Sequence, residues 1–297
     1  MADPAALRDL ALDIARAVAP ELRRLAGVVD VSGTKTTVTD LVTEVDRWSE
    51  EQIVERILDA RPNDSVLGEE GTGVDGTSGV RWVVDPIDGT TDFVYGHPGF
   101  SVSIGVEVDG RPAAGVVVDP LLQDEFCAAV GHGTTRNGRP VRVNQVDDLS
   151  SALVATGFGY DPGRRRRQAE ALVAVIGNVR DIRRCGGAAT DLASVSCGRV
   201  DAYFERGLNP WDCAAGILLV TEASGAVSLF RTTQSPTALP IAVTWEEASL
   251  NWSDDIVVVA APPDLIEPFG ELLYEAGALS GPRLRPFDCS ALRSRRR

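Results

Sequence analysis

Histidine is nearly absent from the 297-residue chain, which has only His97 and His132. That scarcity argues against a zinc centre built from imidazole and thiolate. The five cysteines, at positions 127, 185, 197, 213 and 289, form no CxxC pair. Their odd number and wide scatter argue against a disulfide framework and for a reducing, cytoplasmic compartment. No apolar run reaches membrane-spanning length, and the opening MADPAALRDL lacks the basic start and greasy middle of a signal peptide. No internal repeat is evident. Positive charge is in short supply, 29 Lys and Arg against 43 Asp and Glu, for a formal net charge of -14. Such a chain repels nucleic-acid phosphates and anionic membranes, so neither is expected as a partner. It suits a protein that gathers cations in an acidic cleft, and any metal bound there is a hard one held by oxygen.

What is present looks globular: 44% of residues are hydrophobic and 24% charged. The length suffices for one large domain or two intimately packed halves. Residues 4–26 read as an amphipathic helix that Pro20 should kink or split, and a second helix covers about 44–60. "DSVLGEEG" reads as a short strand ending in a turn, "RWVVD" as a buried strand, and "SVSIGVEV" with "PAAGVVV" as a hairpin turning at Asp109-Gly110. Asn137-Gly138 marks another tight turn. Beyond about residue 150 strands ("SALVATGF", "VDAYFE", "DIVVVAA") interleave with helices ("RRRRQAEALVAVIGNV", "GAATDLASVSCG", "WDCAAGILLVTEASG" ending at Gly225, and one over about 263–276). The Arg164–Arg167 run has no interleaved aromatics and reads as a solvated helix start. The pattern is a layered α/β architecture and not a TIM barrel.

Four acidic features then stand out: Glu69-Glu70 after a strand, Asp85 and Asp88 flanking Pro86-Ile87, Asp212 at a helix start, and Asp40 with Asp46 in "TDLVTEVD". Each alone is an ordinary strand-end or helix-cap acid. If Glu69, Asp85, Asp88 and Asp212 converge, each uncompensated pair at ~4 Å costs about 4 kcal/mol at an effective dielectric near 20. Such a cluster persists only with protons or divalent cations, and an oxygen-only donor set selects Mg²⁺. Gly89 and Thr90-Thr91 follow at once. If they open a helix, their N–H groups form an anion site, and Thr90 offers a hydroxyl able to orient a water. Metals beside a phosphate cradle are the equipment of phosphate-ester hydrolysis.

"GEEG" (68–71), "DPIDGTTDF" (85–93) and "WDCAAG" (211–216), with "DLVTEVD" (40–46) upstream, closely resemble the inositol monophosphatase family of Mg²⁺-dependent, lithium-sensitive phosphatases. The likeness is collinear over roughly residues 5–275. It implies a five-layered αβαβα sandwich, usually a homodimer, and two or three Mg²⁺ ions per subunit. The halves expected are an N-terminal one, residues 1–148, carrying most metal ligands, and a C-terminal one, 149–280, carrying Asp212 and the substrate contacts; the composition of 281–297 reads as a mobile basic tail.

Carried over by motif, the metal ligands are Glu69, Asp85, the Ile87 carbonyl, Asp88 and Asp212. Thr90 and Glu69 position the attacking water, the Gly89 and Thr90 amides hold phosphate, Lys35 lies near the activated water, and Asp46 supports from behind. Glu205 contacts a substrate hydroxyl, and "CGGAA" (185–189), with Gly186, Gly187 and Ala188, lines the sugar or inositol pocket. Asp92 departs from the resemblance, standing where many relatives carry Asn; so do the stretch 230–250 and "AAPPD" (260–264).

The expected reaction is in-line hydrolysis of a phosphomonoester by a metal-activated water, with myo-inositol 1-phosphate first among substrates. Thr91 points to that branch, since the histidinol-phosphate and nucleotide branches usually carry Lys there. Fructose 1,6-bisphosphate, histidinol phosphate and 3′-phosphoadenosine nucleotides are the alternatives within the family. An aspartyl-phosphate mechanism needs two aspartates one residue apart, and no DxDxT is present. A non-enzymatic alternative is a regulatory partner of transcription machinery.

Overall fold

A computed structural model describes residues 2–28, 33–34, 41–232 and 241–279. Lys35, Asp40, Cys289 and the basic tail lie outside the described residues. The chain opens with α1 (Pro4–Leu25), the paired two-residue strands β1 (Gly33–Thr34) and β2 (Leu41–Val42), and α2 (Glu44–Ala60). Next come β3 (Ser65–Gly68), β4 (Gly73–Val74), β5 (Val80–Asp88) and the short helix α3 (Thr90–Tyr95). An antiparallel run follows: β6 (Ser101–Val108), β7 (Arg111–Asp119), β8 (Asp124–Ala129), β9 (Gly133–Arg136) and β10 (Arg139–Val141). The remainder begins with β11 (Leu153–Thr156), α4 (Pro162–Val175), β12 (Asp181–Arg183), α5 (Ala188–Ser196), β13 (Ala202–Arg206) and α6 (Pro210–Glu222). It ends with β14 (Ala226–Arg231), β15 (Ile241–Val243), α7 (Trp245–Leu250), β16 (Ile256–Ala261) and α8 (Ile266–Glu275).

Two large sheets result, one of eight strands in the order β10-β9-β8-β7-β6-β5-β3-β4 and one of six in the order β12-β11-β13-β16-β14-β15. On the outer face of the first, Leu7, Ile14, Val18 and Leu22 of α1 and Ile53 and Ile57 of α2 share one buried cluster with Trp82, Val84, Ile104 and Val116. Each such side chain taken fully out of water contributes about 1.5–3 kcal/mol. Between the sheets lie α5 and α6, and α6 is buried from Cys213 through Val220 on every side. Leu265, Phe269 and Leu273, with Val175 of α4, cover the far face of the second sheet at Val257 and Val259. Helix, sheet, helix, sheet, helix is the αβαβα sandwich expected from the sequence.

Three local readings change. Pro20 does not split α1. An interior proline costs about 3 kcal/mol, but Val18 and Leu22 on either side of it are fully buried and hold the helix together. The strand read as ending at Asp85 continues to Asp88 through a bulge. Helix α6 stops at Glu222, not Gly225, and Ser224 takes the left-handed conformation (φ 66°). In the poorly matching stretch 230–250, strand β14 ends, and β15 and α7 follow, with 233–240 outside the described residues. The Arg164–Arg167 run is a helix start: Asp161 caps the Arg164 N–H at 2.7 Å, and the Arg164 side chain pairs with Asp254.

Candidate active site

The site begins with a parity problem in β5. Side chains alternate along a strand, so Asp85 and Asp88, three apart, should face opposite ways. Val83 packs in the cluster of α5 and α6, whereas Trp82 and Val84 pack under α1 and α2. Asp85 therefore shares the inter-sheet side with Val83. Asp85 pairs with Ser103 and Asp88 with Ser101, three residues against two. The extra residue flips the alternation, so Asp88 joins Asp85 on that side. Pro86 fits such a bulge because it has no N–H to offer the ladder.

Asp212 arrives from the other direction. It is the third residue of α6, and its Oδ2 accepts the Asn209 N–H at 2.6 Å in a capping box. The Ser103 hydroxyl donates to the Trp211 carbonyl at 3.2 Å, tying the start of α6 to the residue that pairs with Asp85. Glu69 follows β3, and its N–H donates to the Val84 carbonyl at 3.2 Å.

Their charges act on one another. Burial first, then the charges of Glu69, Asp88 and Asp212, hold Asp85 well above the usual carboxylate range. Burial pushes Asp88 up to about 7 against the opposing N–H of Ala189. Asp212 is also raised well above its ordinary value, by burial and then by Glu69 and Asp88. Asp85 and Glu69 also meet directly, side chain to side chain, although among the described residues no three His, Cys, Asp or Glu side chains stand in ready metal-holding geometry. The chemistry of the donor set nonetheless fits a hard divalent cation. Every donor is an oxygen, and every shift is in the direction of taking up positive charge.

Beside the acids, Gly89 turns the chain from β5 into α3. Its φ is +88°, and a Cβ there would meet the Gly99 carbonyl oxygen at 2.7 Å, so a side chain is excluded twice. The Thr90 hydroxyl lies 3.1 Å from Asp46 Oδ1 and 3.2 Å from the Ile87 carbonyl oxygen. Asp46 is itself fixed, its Oδ2 accepting the Thr43 N–H at 2.7 Å and the Thr43 hydroxyl at 2.6 Å.

The segment read as the sugar-pocket loop meets Asp88. Asp88 accepts the N–H groups of Ala188 (3.2 Å) and Ala189 (2.7 Å) at the start of α5. A Cβ on Gly187 would collide with the Asp88 carboxylate. Glu205, on β13, is buried and accepts the Tyr203 hydroxyl at 2.8 Å. Burial raises its pKa, while Tyr203 and Arg184 pull it back. Asp92, unexplained in the sequence, has the charges of Arg184 and His97 for company, with His97 Nδ1 3.6 Å from its Oδ1.

The sequence missed Glu50. This buried residue of α2 accepts the N–H groups of Glu70 (2.8 Å) and Thr72 (3.1 Å), which anchors the loop carrying Glu69. A signal existed: Asp46 and Glu50 stand at helical spacing in the same buried stripe as Ile53 and Ile57. The buried Asp191 of α5, which has the Cys185 thiol beside it, was also missed.

Fold and site thus define a class, an αβαβα sandwich that delivers acids from strand ends and a helix start to a glycine turn. The family model described as the inositol monophosphatase family matches residues 3–260. "Inositol-1-monophosphatase SuhB" of Mycobacterium tuberculosis (strain ATCC 25618 / H37Rv) is 45% identical over 246 residues, 76% of this chain and 85% of that protein. "Nus factor SuhB" of Pseudomonas aeruginosa is 42% identical over 233 residues, 75% of this chain and 84% of that one. The solved structure "Mycobacterium tuberculosis SuhB" superposes with a TM-score of 0.77 at 38% identity, covering 94% of this chain and all of the other. The chain belongs to the inositol monophosphatase family and is, with it, a phosphoric monoester hydrolase.

Proposed function

We propose that the chain is a Mg²⁺-dependent inositol-1-monophosphatase that hydrolyses myo-inositol 1-phosphate to myo-inositol and phosphate. The observation that carries this reading is the mutual charging of Glu69, Asp85, Asp88 and Asp212 beside the Gly89 turn. Glu69, Asp85, the Ile87 carbonyl, Asp88 and Asp212 would hold two or three Mg²⁺ ions. When bound, these ions neutralise phosphate charge and make a water acidic enough to react.

The protein's own groups do the rest. The Thr90 hydroxyl gives its hydrogen to Asp46, which leaves its lone pairs to accept one from the attacking water. Glu69 takes the other hydrogen, so the water's lone pair is aimed at phosphorus. The Gly89 and Thr90 amides hold a phosphate oxygen. Glu205 accepts a hydroxyl of the alcohol, and Gly186, Gly187 and Ala188 line its pocket. Lys35, which the resemblance assigns to the activated water, lies outside the described residues. Attack and departure occur in one displacement, with no covalent enzyme intermediate. The same reading includes lithium sensitivity, a homodimer and a cytoplasmic location.

A phosphate-release panel tests this, comparing myo-inositol 1-phosphate with fructose 1,6-bisphosphate, histidinol phosphate and 3′-phosphoadenosine nucleotides, with Mg²⁺ and with added Li⁺. Preference for one of the last three would replace the assignment within the same family. A second reading has its own support, since the Pseudomonas relative is named as a Nus factor. Stoichiometric capture of a transcription protein by a chain that releases no phosphate would favour it.

A further inference from the structure

Asp88 and Asp92 stand four residues apart and press on successive glycines of one loop. A Cβ on Gly187 would run into Asp88, and a Cβ on Gly186 would run into Asp92 Oδ2. Asp92 lies on α3, in the first half of the chain, and the loop leads into α5 in the second. On the other side of the same glycine, an Arg184 Nη donates to the Gly186 carbonyl. Gly186 is therefore bracketed by a carboxylate and a guanidinium. Arg184 is exposed, and its charge acts on Asp92, Glu205 and the buried Asp191. An exposed guanidinium beside the loop that lines the proposed pocket is normally a receptor for an anion. Here the surrounding acids already occupy its field.

We propose that Asp92 is a specificity-determining residue, which holds the charge of Arg184 in check so that the pocket takes the phosphate ester of an uncharged polyol and disfavours an alcohol carrying a second phosphate. The inference rests on the proposed function and deepens it at the alcohol end of the pocket. Two contributions act together. The Asp92 carboxylate repels a second phosphate directly, and it competes with that phosphate for Arg184. His97, 3.6 Å from Asp92, is the other nearby basic group, but its Nδ1 lies 2.7 Å from the Pro98 carbonyl oxygen and is engaged there. Selection of this kind places a repulsive element beside the attractive one at Glu205, which accepts a neutral hydroxyl.

The test measures kcat/KM for myo-inositol 1-phosphate and for fructose 1,6-bisphosphate with Mg²⁺, in wild type, D92N, R184Q and the double variant. Asparagine keeps the shape of Asp92 and removes its charge. D92N should raise the bisphosphate-to-monophosphate ratio about tenfold, mostly through the bisphosphate KM. Adding R184Q should remove the part of that gain that comes through Arg184 and so reduce it, and R184Q alone should lower the ratio. A purely structural role for Asp92 would move both substrates together and leave the ratio alone, which would overturn the inference. So would a D92N gain that survives R184Q undiminished. Should D92N fail to fold, R184Q decides: an unchanged ratio overturns the inference. Wild-type protein that hydrolyses neither ester would overturn the proposed function itself, an outcome distinct from an active wild type whose ratio does not respond.

Discussion

Asp88 Oδ2 sits 2.7 Å from the amide nitrogen of Ala189, a contact across 101 residues of chain. One carboxylate thereby serves two roles, as a member of the acidic centre and as the seat for the start of α5. Replacing it with asparagine keeps an acceptor for one N–H and removes a charge that its neighbours repel. Asp88→Asn should cut phosphate release by at least about a hundredfold while leaving the protein folded. Circular dichroism and turnover on the same preparation check both halves of that statement.

The acids predict a link between pH and cation binding. Asp88, near 3.8 in an open chain, is pushed up to about 7 by burial, and Asp85 and Asp212 move the same way. Between those values the folded chain holds protons that the unfolded chain has released, so these groups' contribution is full below the ordinary carboxylate range and is lost as pH rises through the folded value. Cations take the protons' place. The gap between thermal midpoints in Mg²⁺ and in EDTA should therefore widen from about pH 5 to about pH 8. A gap that stays constant would contradict the cluster as the binding site.

Thr90 and Asp46 make a second pair with a measurable signature. Thr90→Ser keeps the hydroxyl and should retain most activity, whereas Thr90→Ala should lose about a hundredfold or more in kcat. Asp46→Asn should show a comparable loss in kcat with a small change in KM, because it acts through Thr90 and not on the substrate. Equal losses in Thr90→Ser and Thr90→Ala would mean the hydroxyl is not the working group.

Much of this was legible in the sequence, and the exceptions have physical causes. The motifs marked Glu69, Asp85, Asp88, Thr90 and Asp212; the four acids act on one another's charge, and Thr90 bonds Asp46. The bulge that lets Asp85 and Asp88 share a face was hidden, because strand parity depends on the pairing with Ser101 and Ser103. Pro20 misled for a related reason: local propensity favours a break, and tertiary burial of Val18 and Leu22 overrides it. Asp92 had no account until Arg184 and Gly186, distant in sequence, were placed beside it. Glu50 was readable in principle from its helical spacing to Asp46, Ile53 and Ile57.

Gly187 offers a steric test of the join between the halves. Its φ is ordinary, -77°, so alanine meets no backbone strain there. The added methyl instead lands on the Asp88 carboxylate. Gly187→Ala should destabilise the fold by about 1–3 kcal/mol and lower activity as well. Denaturant unfolding reads the first effect and phosphate release the second.

Phosphate release from myo-inositol 1-phosphate by the purified chain, in Mg²⁺ and again in EDTA, bears most directly on the central claim. Steady turnover in Mg²⁺ that vanishes in EDTA and returns when Mg²⁺ is restored is the result predicted. Release that continues undiminished in EDTA, or no release in Mg²⁺, would contradict it.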